Sequence, residues 1–483
     1  MIFTSLEFFA FLPLVLAGFA LLSERWRWAW LLLASWVFYG AGHPMSLVFL
    51  GAVTVAVYIL GWGIERAVRG QRIALLSVGI VALAGSLVIF KFYNFAAGEL
   101  ERSIGGGLAL PRLGITAPAG FSFYVFSALS YLVDVYVRRI PGKQHATDAA
   151  LYLAFFPKIL AGPIERAPAF LSQLGARISI EPATIVLGLQ LIGWGLFKKL
   201  VIADNLAPLV DHNFAIAAFA APLELLISIY FFAFQIYCDF SGYTDIALGI
   251  ALLFGIRLME NFRRPYLSVS TAEFWGERWH ISLGHWFRDY LYIPLGGSRA
   301  GIPRRYSNTM LVFLVSGLWH AGLGYGVGWT FLIWGALNGF YQWMGLATRP
   351  LWRRLGDIWP RLAKSLPLTV VRAVLTFHLI AITWVFFRAK STGDALIIFK
   401  KIGARLTDIP SLITNYPFTA EHAFGVAMIA LLLSVEILDE RKSVFARLAA
   451  SPVVLRWSTY YLVIFGLLVL GRWQVKEFIY MQF

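Results

Sequence analysis

The architecture of this chain is set by residues 274–320, which open on FWGERWHISLGHWFRDYLYIPLGGSR (274–299) and close on LVFLVSGLWH (311–320). This stretch gathers charged groups, aromatic side chains and three histidines, whereas long hydrophobic runs lie on either side of it. Charged and titratable groups are costly within a bilayer, and those that persist there usually serve a function. We therefore expect the rest of the chain to hold this segment in place.

Hydrophobic residues make up 59% of the 483 positions and charged residues only 14%. Apolar runs long enough to span a bilayer, about 17–25 residues each, recur from one end of the sequence to the other. A transmembrane β-barrel would instead show stretches of roughly ten residues with alternating polarity. The pattern predicts an all-α polytopic membrane protein with about 11–13 transmembrane helices and one or two re-entrant or interfacial helices.

The formal net charge is +15, from 41 Lys and Arg against 26 Asp and Glu. The basic residues fall in short segments between apolar runs, as the positive-inside rule describes, and no basic face, finger or RNA-binding signature accompanies them. The charge therefore argues against nucleic-acid binding. The single cysteine, Cys238, excludes an intrachain disulfide and a cysteine-based zinc cluster. The sequence contains no Walker loop, Rossmann fingerprint or serine-hydrolase elbow.

Polar residues interrupt three apolar segments outside the central stretch. Asp134 precedes Arg138 by four positions on a predicted helix, a spacing that favours an ion pair at the helix end. Residues 151–174 are broken by prolines and glycine and are too short to span, which indicates a re-entrant or interfacial piece. Asp239 and Asp245 lie in an otherwise apolar run. They predict either a broken helix with exposed acids or a polar lining for an internal cavity.

His320 is the strongest candidate for chemistry because it ends an apolar run and precedes AGLGYGVG, with glycine at 322, 324, 326 and 328. Glycine permits close backbone approach and sharp turns, so a narrow passage could run beside this imidazole. A neutral imidazole is the side chain suited to accept a proton near pH 7. The alternative is a buried histidine whose ring is satisfied by a neighbouring carbonyl.

His280 and His285 lie five positions apart, which is not the HExxH spacing that places two imidazoles on one helix face for zinc. We therefore expect no metal site. The surrounding segment 274–291 alternates tryptophans with paired charges and resembles an interfacial helix. Arg278 or Arg288 could bind an anionic group such as a phosphate, or the segment could simply anchor the protein at the interface.

Seven segments together resemble one family. They read GFSFYVFSALSYLVDVY, FFPKILAGPIERAPAF, GLFKKLVIADNLA, IYCDFSGYTDIALGIALLFGIRLMENFRRPYL, FWGERWHISLGHWFRDYLYIPLGG, SGLWHAG and ITWVFFRA, in this order over roughly residues 120–390. The chain is similar to the membrane-bound O-acyltransferase (MBOAT) family, and most of all to its bacterial alginate O-acetyltransferase branch. The first hundred and last ninety residues match that family only in hydrophobicity.

The resemblance implies an MBOAT fold in which tilted helices surround a tunnel and the acyl donor and acceptor approach from opposite membrane faces. It implies catalytic roles for His320, as general base on an acceptor hydroxyl, and for His280, which would orient the acceptor or polarise the carbonyl. Substrate-binding candidates are Asp239, Asp245, Trp279, Arg278, Arg288 and Trp319. No tightly bound cofactor is implied; acetyl-CoA or another acyl thioester would serve as donor substrate.

The resemblance further implies a multi-pass protein of the bacterial inner membrane, in contact with membrane lipid, that modifies an exported polysaccharide such as alginate through an extracytoplasmic SGNH-type acetyltransferase partner. Residues 1–483 would form a single integral membrane domain with an N-terminal helical group (1–110), a catalytic core (120–390) and C-terminal helices (391–483). Two alternatives remain open. One is a non-enzymatic transporter or channel lined by residues 274–320, and the other is a family member with a carrier-protein donor or a lipid acceptor.

Overall fold

The computed structural model describes residues 1–479 apart from 43, 105–108, 115–116, 176–179, 300, 322–327 and 475–477. Throughout this described part the chain forms helices joined by turns, and it contains no strand. The glycine-rich run predicted to border a passage lies mostly outside it, since only Gly328 of its four glycines is described. The prediction of an all-α protein is confirmed.

The α-helices that the structure describes are, in chain order, α1 (Leu6–Leu21), α2 (Glu24–Gly40), α3 (Pro44–Arg66), α4 (Arg69–Ile104), α5 (Phe121–Tyr136), α6 (Ala146–Ala154), α7 (Ala167–Leu174), α8 (Pro182–Leu196), α9 (Asp204–Ala215), α10 (Pro222–Leu253), α11 (Thr271–Glu273), α12 (Ile281–Phe287), α13 (Ile302–His320), α14 (Gly328–Ile358), α15 (Pro360–Ala363), α16 (Leu366–Arg388), α17 (Thr392–Gly403), α18 (Ile409–Asn415), α19 (Ala420–Arg441), α20 (Val444–Ala449) and α21 (Val453–Leu470). Short π or 3-10 segments lie at Phe197–Ala203, Pro265–Leu267, Phe274–Arg278, Arg288–Tyr292 and Leu406–Asp408.

Seven helical segments in the described residues are long and apolar enough to cross a membrane: Pro44–Arg66, Arg69–Glu101, Pro182–Ala215, Pro222–Leu253, Leu366–Arg388, Ala420–Arg441 and Val453–Leu470. The chain is therefore a multi-pass membrane protein. The predicted number of spans was higher. Part of the difference lies in α1 and α5, which are apolar but have 16 residues each. At 1.5 Å per residue such a helix is shorter than the roughly 30 Å hydrocarbon core.

The chain divides into two compact units. Unit 1 comprises Met1–Leu196, Gly242–Glu260 and Trp473–Phe483, and unit 2 comprises Phe197–Ser241 and Asn261–Arg472. Both candidate catalytic histidines belong to unit 2. The division of the sequence into an N-terminal group, a core and C-terminal helices stays a prediction.

Within unit 1, residues 151–174 are confirmed as too irregular to span. They consist of the end of α6, a turn and the short helix α7. The turn is buried, and protein groups satisfy its backbone: the Phe156 N–H donates to Ser35 Oγ (3.1 Å), and the Tyr243 hydroxyl donates to the Pro157 carbonyl (3.2 Å). Irregular backbone away from water requires such partners.

The predicted ion pair of Asp134 with Arg138 is wrong by one residue. Helix α5 ends at Tyr136, and Arg138 adopts a left-handed backbone conformation with φ of 63°. The helical spacing of four therefore no longer applies at this position. Instead Arg139 Nη1 donates to Asp134 Oδ1 at 3.0 Å, and the carboxylate is buried in unit 1.

Candidate active site

His320 is the last residue of α13, and the close packing of α13 on α14 determines its surroundings. A Cβ added to Gly317 would lie 2.4 Å from the Phe331 carbonyl oxygen, and one added to Gly335 would lie 2.5 Å from the Phe313 carbonyl oxygen. Only glycine allows backbones to approach this closely. The approach places the indole of Trp334 at 5.2 Å from the imidazole of His320, nearly perpendicular to it, and His320 is only 3% exposed.

His280 occupies the break between the π turn Phe274–Arg278 and α12. Its backbone has φ of 46° and ψ of 50°, the left-handed region that non-glycine residues rarely adopt. Such conformations cost of order 1–3 kcal/mol and cluster at functional sites, where the surrounding structure holds them. This break divides the segment 274–291, for which an interfacial helix is predicted, into two helical pieces. The location of the segment at the membrane interface stays a prediction.

Asn261 holds the backbone on the C-terminal side of His280. The Ile281 N–H donates to the Asn261 carbonyl at 2.9 Å. The N–H and the hydroxyl of Ser282 donate to Asn261 Oδ1 at 3.2 and 2.9 Å. On the other side, the Arg263 N–H donates to the Arg278 carbonyl at 2.9 Å. These bonds fix the strained residue between two anchored points.

The two candidate histidines contact the same side chain. The ring centroid of Trp319 lies 6.4 Å from that of His280 and 4.4 Å from that of His320. The ring centroid of His280 also lies 4.8 Å from that of Phe240. Both imidazoles are therefore enclosed by aromatic surface within one unit. The catalytic roles of the two histidines stay predictions.

A wall of aromatic rings from α14 and α16 completes the enclosure of His320. Phe387 contacts His320, Trp334 and Trp384, with ring centroids 5.2, 5.5 and 5.2 Å away. Trp384 in turn lies 5.1 Å from Trp279, the residue before His280. The wall makes the surroundings of the two imidazoles apolar, which strengthens any hydrogen bond or charge interaction formed there.

Burial lowers the pKa of His280 to about 3. Desolvation disfavours the imidazolium, so this side chain is neutral throughout the physiological range. A neutral imidazole has one N–H donor and one acceptor nitrogen. It is therefore equipped to hold a hydroxyl or a carbonyl by a hydrogen bond without carrying charge.

Asp239 does not lie in a turn, because α10 runs unbroken from Pro222 to Leu253. The interpretation of a broken helix is wrong. The Asp239 carboxylate is 2% exposed and accepts a hydrogen bond from Lys199 Nζ at 2.7 Å, and the same ammonium lies 3.0 Å from Asp204 Oδ1. This buried charge cluster joins α9 and α10 within unit 2. Asp245 is half-buried and belongs to unit 1.

The two candidate arginines have carboxylate partners. Arg278 donates to Glu273 at 2.7 Å and to Glu440, near the end of α19, at 2.8 Å. Arg288 is exposed and donates to its neighbour Asp289 at 2.8 Å, so the predicted compensation of these two charges is confirmed. A role of either arginine in substrate binding stays a prediction.

Sequence reasoning missed several residues of this site. Asn261, Trp334, Trp384 and Phe387 were part of matching segments or apolar runs but carried no signal of their own. Their importance comes from contacts between helices that are far apart in sequence. One available hint was the segment ITWVFFRA, which contains Trp384 and Phe387 and is one of the seven segments that resemble the family.

The comparisons with known proteins identify the class. Residues 119–387, more than half of the chain, match the model of the membrane-bound O-acyltransferase family. The chain belongs to this family and is an O-acyltransferase. The predicted resemblance over residues 120–390 is confirmed, and the enzyme is favoured over a non-enzymatic transporter.

Three relatives narrow the comparison. The chain is 39% identical over 400 residues to the probable alginate O-acetylase AlgI of Azotobacter vinelandii, covering 82% of this chain and 76% of the relative. It is 33% identical over 431 residues to the peptidoglycan O-acetyltransferase of Helicobacter pylori (82% and 78%). It is 25% identical over 284 residues to the teichoic acid D-alanyltransferase of Bacillus subtilis (56% and 68%). The similarity to the first two extends beyond the segment predicted from sequence.

Proposed function

We propose that this protein is an O-acetyltransferase of the bacterial inner membrane. It takes an acetyl group from a cytoplasmic thioester, acetyl-CoA, and passes it towards an exported polysaccharide such as alginate. The observation that carries the proposal is the pair of buried imidazoles, His280 and His320, that share the indole of Trp319 inside the segment matched by the family. The similarity to a probable alginate O-acetylase and to a peptidoglycan O-acetyltransferase supports acetyl transfer to a cell-envelope polymer.

In this mechanism His320 acts as general base. Its neutral imidazole accepts the proton of an acceptor hydroxyl while the hydroxyl oxygen attacks the thioester carbon. The carbonyl π electrons move to the oxygen, which becomes an oxyanion. When the oxyanion collapses, the C–S bond breaks, the sulfur leaves with the bonding electrons, and the imidazolium returns the proton to the thiolate. The products are an acetyl ester and free CoA.

His280 orients the reactants in this proposal. Because burial keeps its imidazole neutral, it holds the acceptor hydroxyl or the thioester carbonyl by a hydrogen bond and does not compete for the proton. Positioning of this kind supplies a large part of many rate enhancements. An extracytoplasmic SGNH-type acetyltransferase then transfers the acetyl group from this ester to a hydroxyl of the polymer, which regenerates the hydroxyl of the first acceptor.

The test is the ester-linked acetyl content of the exported polysaccharide. We compare wild type, a deletion, and deletions complemented with His320→Ala, His320→Gln or His145→Ala at matched membrane levels. His145 is exposed and precedes α6, so its substitution is a control for removal of an imidazole. Loss of acetyl in the deletion, rescue by wild type and His145→Ala, and a loss of about 10²–10⁴-fold in rate for both His320 variants are expected.

Two outcomes would contradict the proposal. Full rescue of acetylation by His320→Gln would show that His320 is not the general base. Unchanged acetyl content in the deletion would place the acceptor elsewhere. The relation to a D-alanyltransferase makes a carrier-protein donor the alternative to test next, with radiolabelled D-alanine in place of labelled acetate.

A further inference from the structure

Trp334 packs against His320, and Trp384 packs against Trp334. Both have buried indole N–H groups to which the mechanism described above assigns no role. We propose that the indole N–H groups of Trp334 and Trp384 bind the carbonyl oxygen of the acyl thioester and stabilise the negative charge that develops on it. This inference rests on the proposed function. With the thioester carbonyl bound by the indoles, the hydrogen bond of His280 goes to the acceptor hydroxyl.

The two indoles form an adjacent, fully buried pair. Trp334 is 1% exposed and Trp384 is 0% exposed, and their ring centroids lie 6.2 Å apart with the planes inclined by 22°. They come from different helices, α14 and α16. Within the described part of the chain neither Nε1 has a hydrogen-bond acceptor.

An indole nitrogen can only donate, and a buried donor without an acceptor is unfavourable. Two other tryptophans of unit 2, Trp275 and Trp343, avoid this penalty. Trp275 Nε1 donates to Asn338 Oδ1 at 2.9 Å, and Trp343 Nε1 donates to the Tyr306 carbonyl at 2.8 Å. Two buried donors without an acceptor, carried by adjacent rings, therefore indicate that an acceptor arrives from outside the described chain, and a bound substrate provides one.

The pair lies where the reaction requires donors. Trp334 contacts the His320 ring at 5.2 Å, and Phe387 touches both indoles and His320. Trp384 contacts Trp279, the residue that precedes His280. Trp334 therefore contacts the imidazole of His320 directly, and Trp384 contacts the residue next to His280.

The chemistry of acyl transfer explains what two such donors would do. Attack of the hydroxyl oxygen on the thioester carbon converts the carbonyl oxygen into an oxyanion, while the hydroxyl proton moves to His320. Donors already aimed at that oxygen stabilise it most effectively in an apolar enclosure that excludes water. When the C–S bond breaks, the electrons return to re-form the carbonyl and the two N–H groups release the product.

A binding experiment isolates the carbonyl oxygen. Purified protein is titrated with acetyl-CoA and with S-ethyl-CoA, a thioether that lacks only that oxygen. Wild type is expected to bind acetyl-CoA about tenfold more tightly than S-ethyl-CoA, because the oxygen accepts two hydrogen bonds. Trp334→Phe and Trp384→Phe keep an aromatic ring but remove the donor, so each should reduce this preference about threefold, and the double variant should abolish it.

Trp343→Phe is the matched control. It removes an indole N–H from the same helix, α14, but one that a protein carbonyl already satisfies. Its preference for acetyl-CoA should equal that of wild type. The turnover of the two test variants should also fall by a larger factor than their affinity for acetyl-CoA, since the charge develops only during reaction.

The outcomes separate this inference from the proposed function. If wild type prefers acetyl-CoA and both Phe variants retain that preference, the indole donors serve another group, such as an acceptor hydroxyl, and the inference is overturned while the function stands. If wild type does not bind acetyl-CoA, the proposed donor and this inference are overturned together.

Discussion

His280 and His320 are linked through a single side chain, the indole of Trp319, whose ring centroid lies 6.4 Å from the first imidazole and 4.4 Å from the second. Trp319 and His320 are consecutive residues at the end of α13, whereas His280 precedes α12. The backbone conformation of His280 and the packing of α13 on α14 therefore both determine the position of the Trp319 indole. A substitution at either place should change the surroundings of both imidazoles.

Substitutions of His280 should separate backbone strain from chemistry. Glycine tolerates the left-handed conformation that His280 adopts, whereas alanine does not. We expect His280→Gly to be more stable than His280→Ala by about 1 kcal/mol, while both lose acyl transfer. Thermal unfolding of the purified variants and the transfer assay measure the two effects. Equal stabilities would show that the backbone relaxes when the imidazole is removed.

The burial of His280 should make stability depend on pH. Its pKa is about 3 in the folded protein and near 6.5 in the unfolded chain. Between these values the unfolded state binds more protons, so stability is fully present above about pH 6.5 and falls as the pH is lowered, by about 1.4 kcal/mol per pH unit. Denaturant unfolding at several pH values, compared with His280→Asn, measures this contribution. The gap between wild type and variant should change below pH 6.5 and stay constant above it.

Asn261 should act as a positioning residue for His280. Asn261→Ala removes the acceptor of both Ser282 bonds and should cost about 1–3 kcal/mol of stability. Acyl transfer should fall further than the folded fraction does, because the His280 backbone is less well held. Asn308→Ala is the control, since this equally buried amide donates to the Leu295 and Gly297 carbonyls instead. Loss of transfer in proportion to folded protein for both variants would assign Asn261 a purely structural role.

The parts of this site that could be predicted from sequence are those with local signals. His320 stands out because an imidazole ends an apolar run, whereas a role for His280 is implied only by the family resemblance of the segment around it. The helical membrane fold could be predicted because each hydrophobic run is a continuous stretch of sequence. Each of these signals lies within neighbouring residues of the chain.

The parts that could not be predicted depend on contacts between distant segments or on where a helix ends. Trp334 and Trp384 are fifty positions apart and look like ordinary apolar residues until α14 and α16 meet. Asn261 lies nineteen positions before His280. The partner of Asp134 was predicted wrongly because α5 ends at Tyr136, so Arg138 is not part of the helix and does not lie one turn from Asp134.

The buried cluster of Lys199, Asp204 and Asp239 should be a strong determinant of stability. Removing the ammonium leaves two buried carboxylates with less compensation, so Lys199→Met should cost about 3–5 kcal/mol. In the double variant Lys199→Met, Asp239→Asn, one of these charges is also removed and part of the loss should be recovered. The free energies of unfolding of Lys199→Met, Asp239→Asn and the double variant give the coupling energy between the two side chains. Strictly additive losses would mean that the three groups do not interact in solution as their distances indicate.

The close contact of α13 and α14 should be sensitive to a single methyl group. A Cβ at Gly335 would meet the Phe313 carbonyl oxygen at 2.5 Å, and because this atom is backbone, the helices must separate. We expect Gly335→Ala to destabilise the protein by about 1–3 kcal/mol and to reduce acyl transfer, since Trp334 and His320 move apart. Gly345, on the same helix, has open space around it, so Gly345→Ala should raise stability by about 0.5–1 kcal/mol and leave transfer unchanged. If Gly335→Ala behaves like Gly345→Ala, tight packing of these helices is not what positions His320.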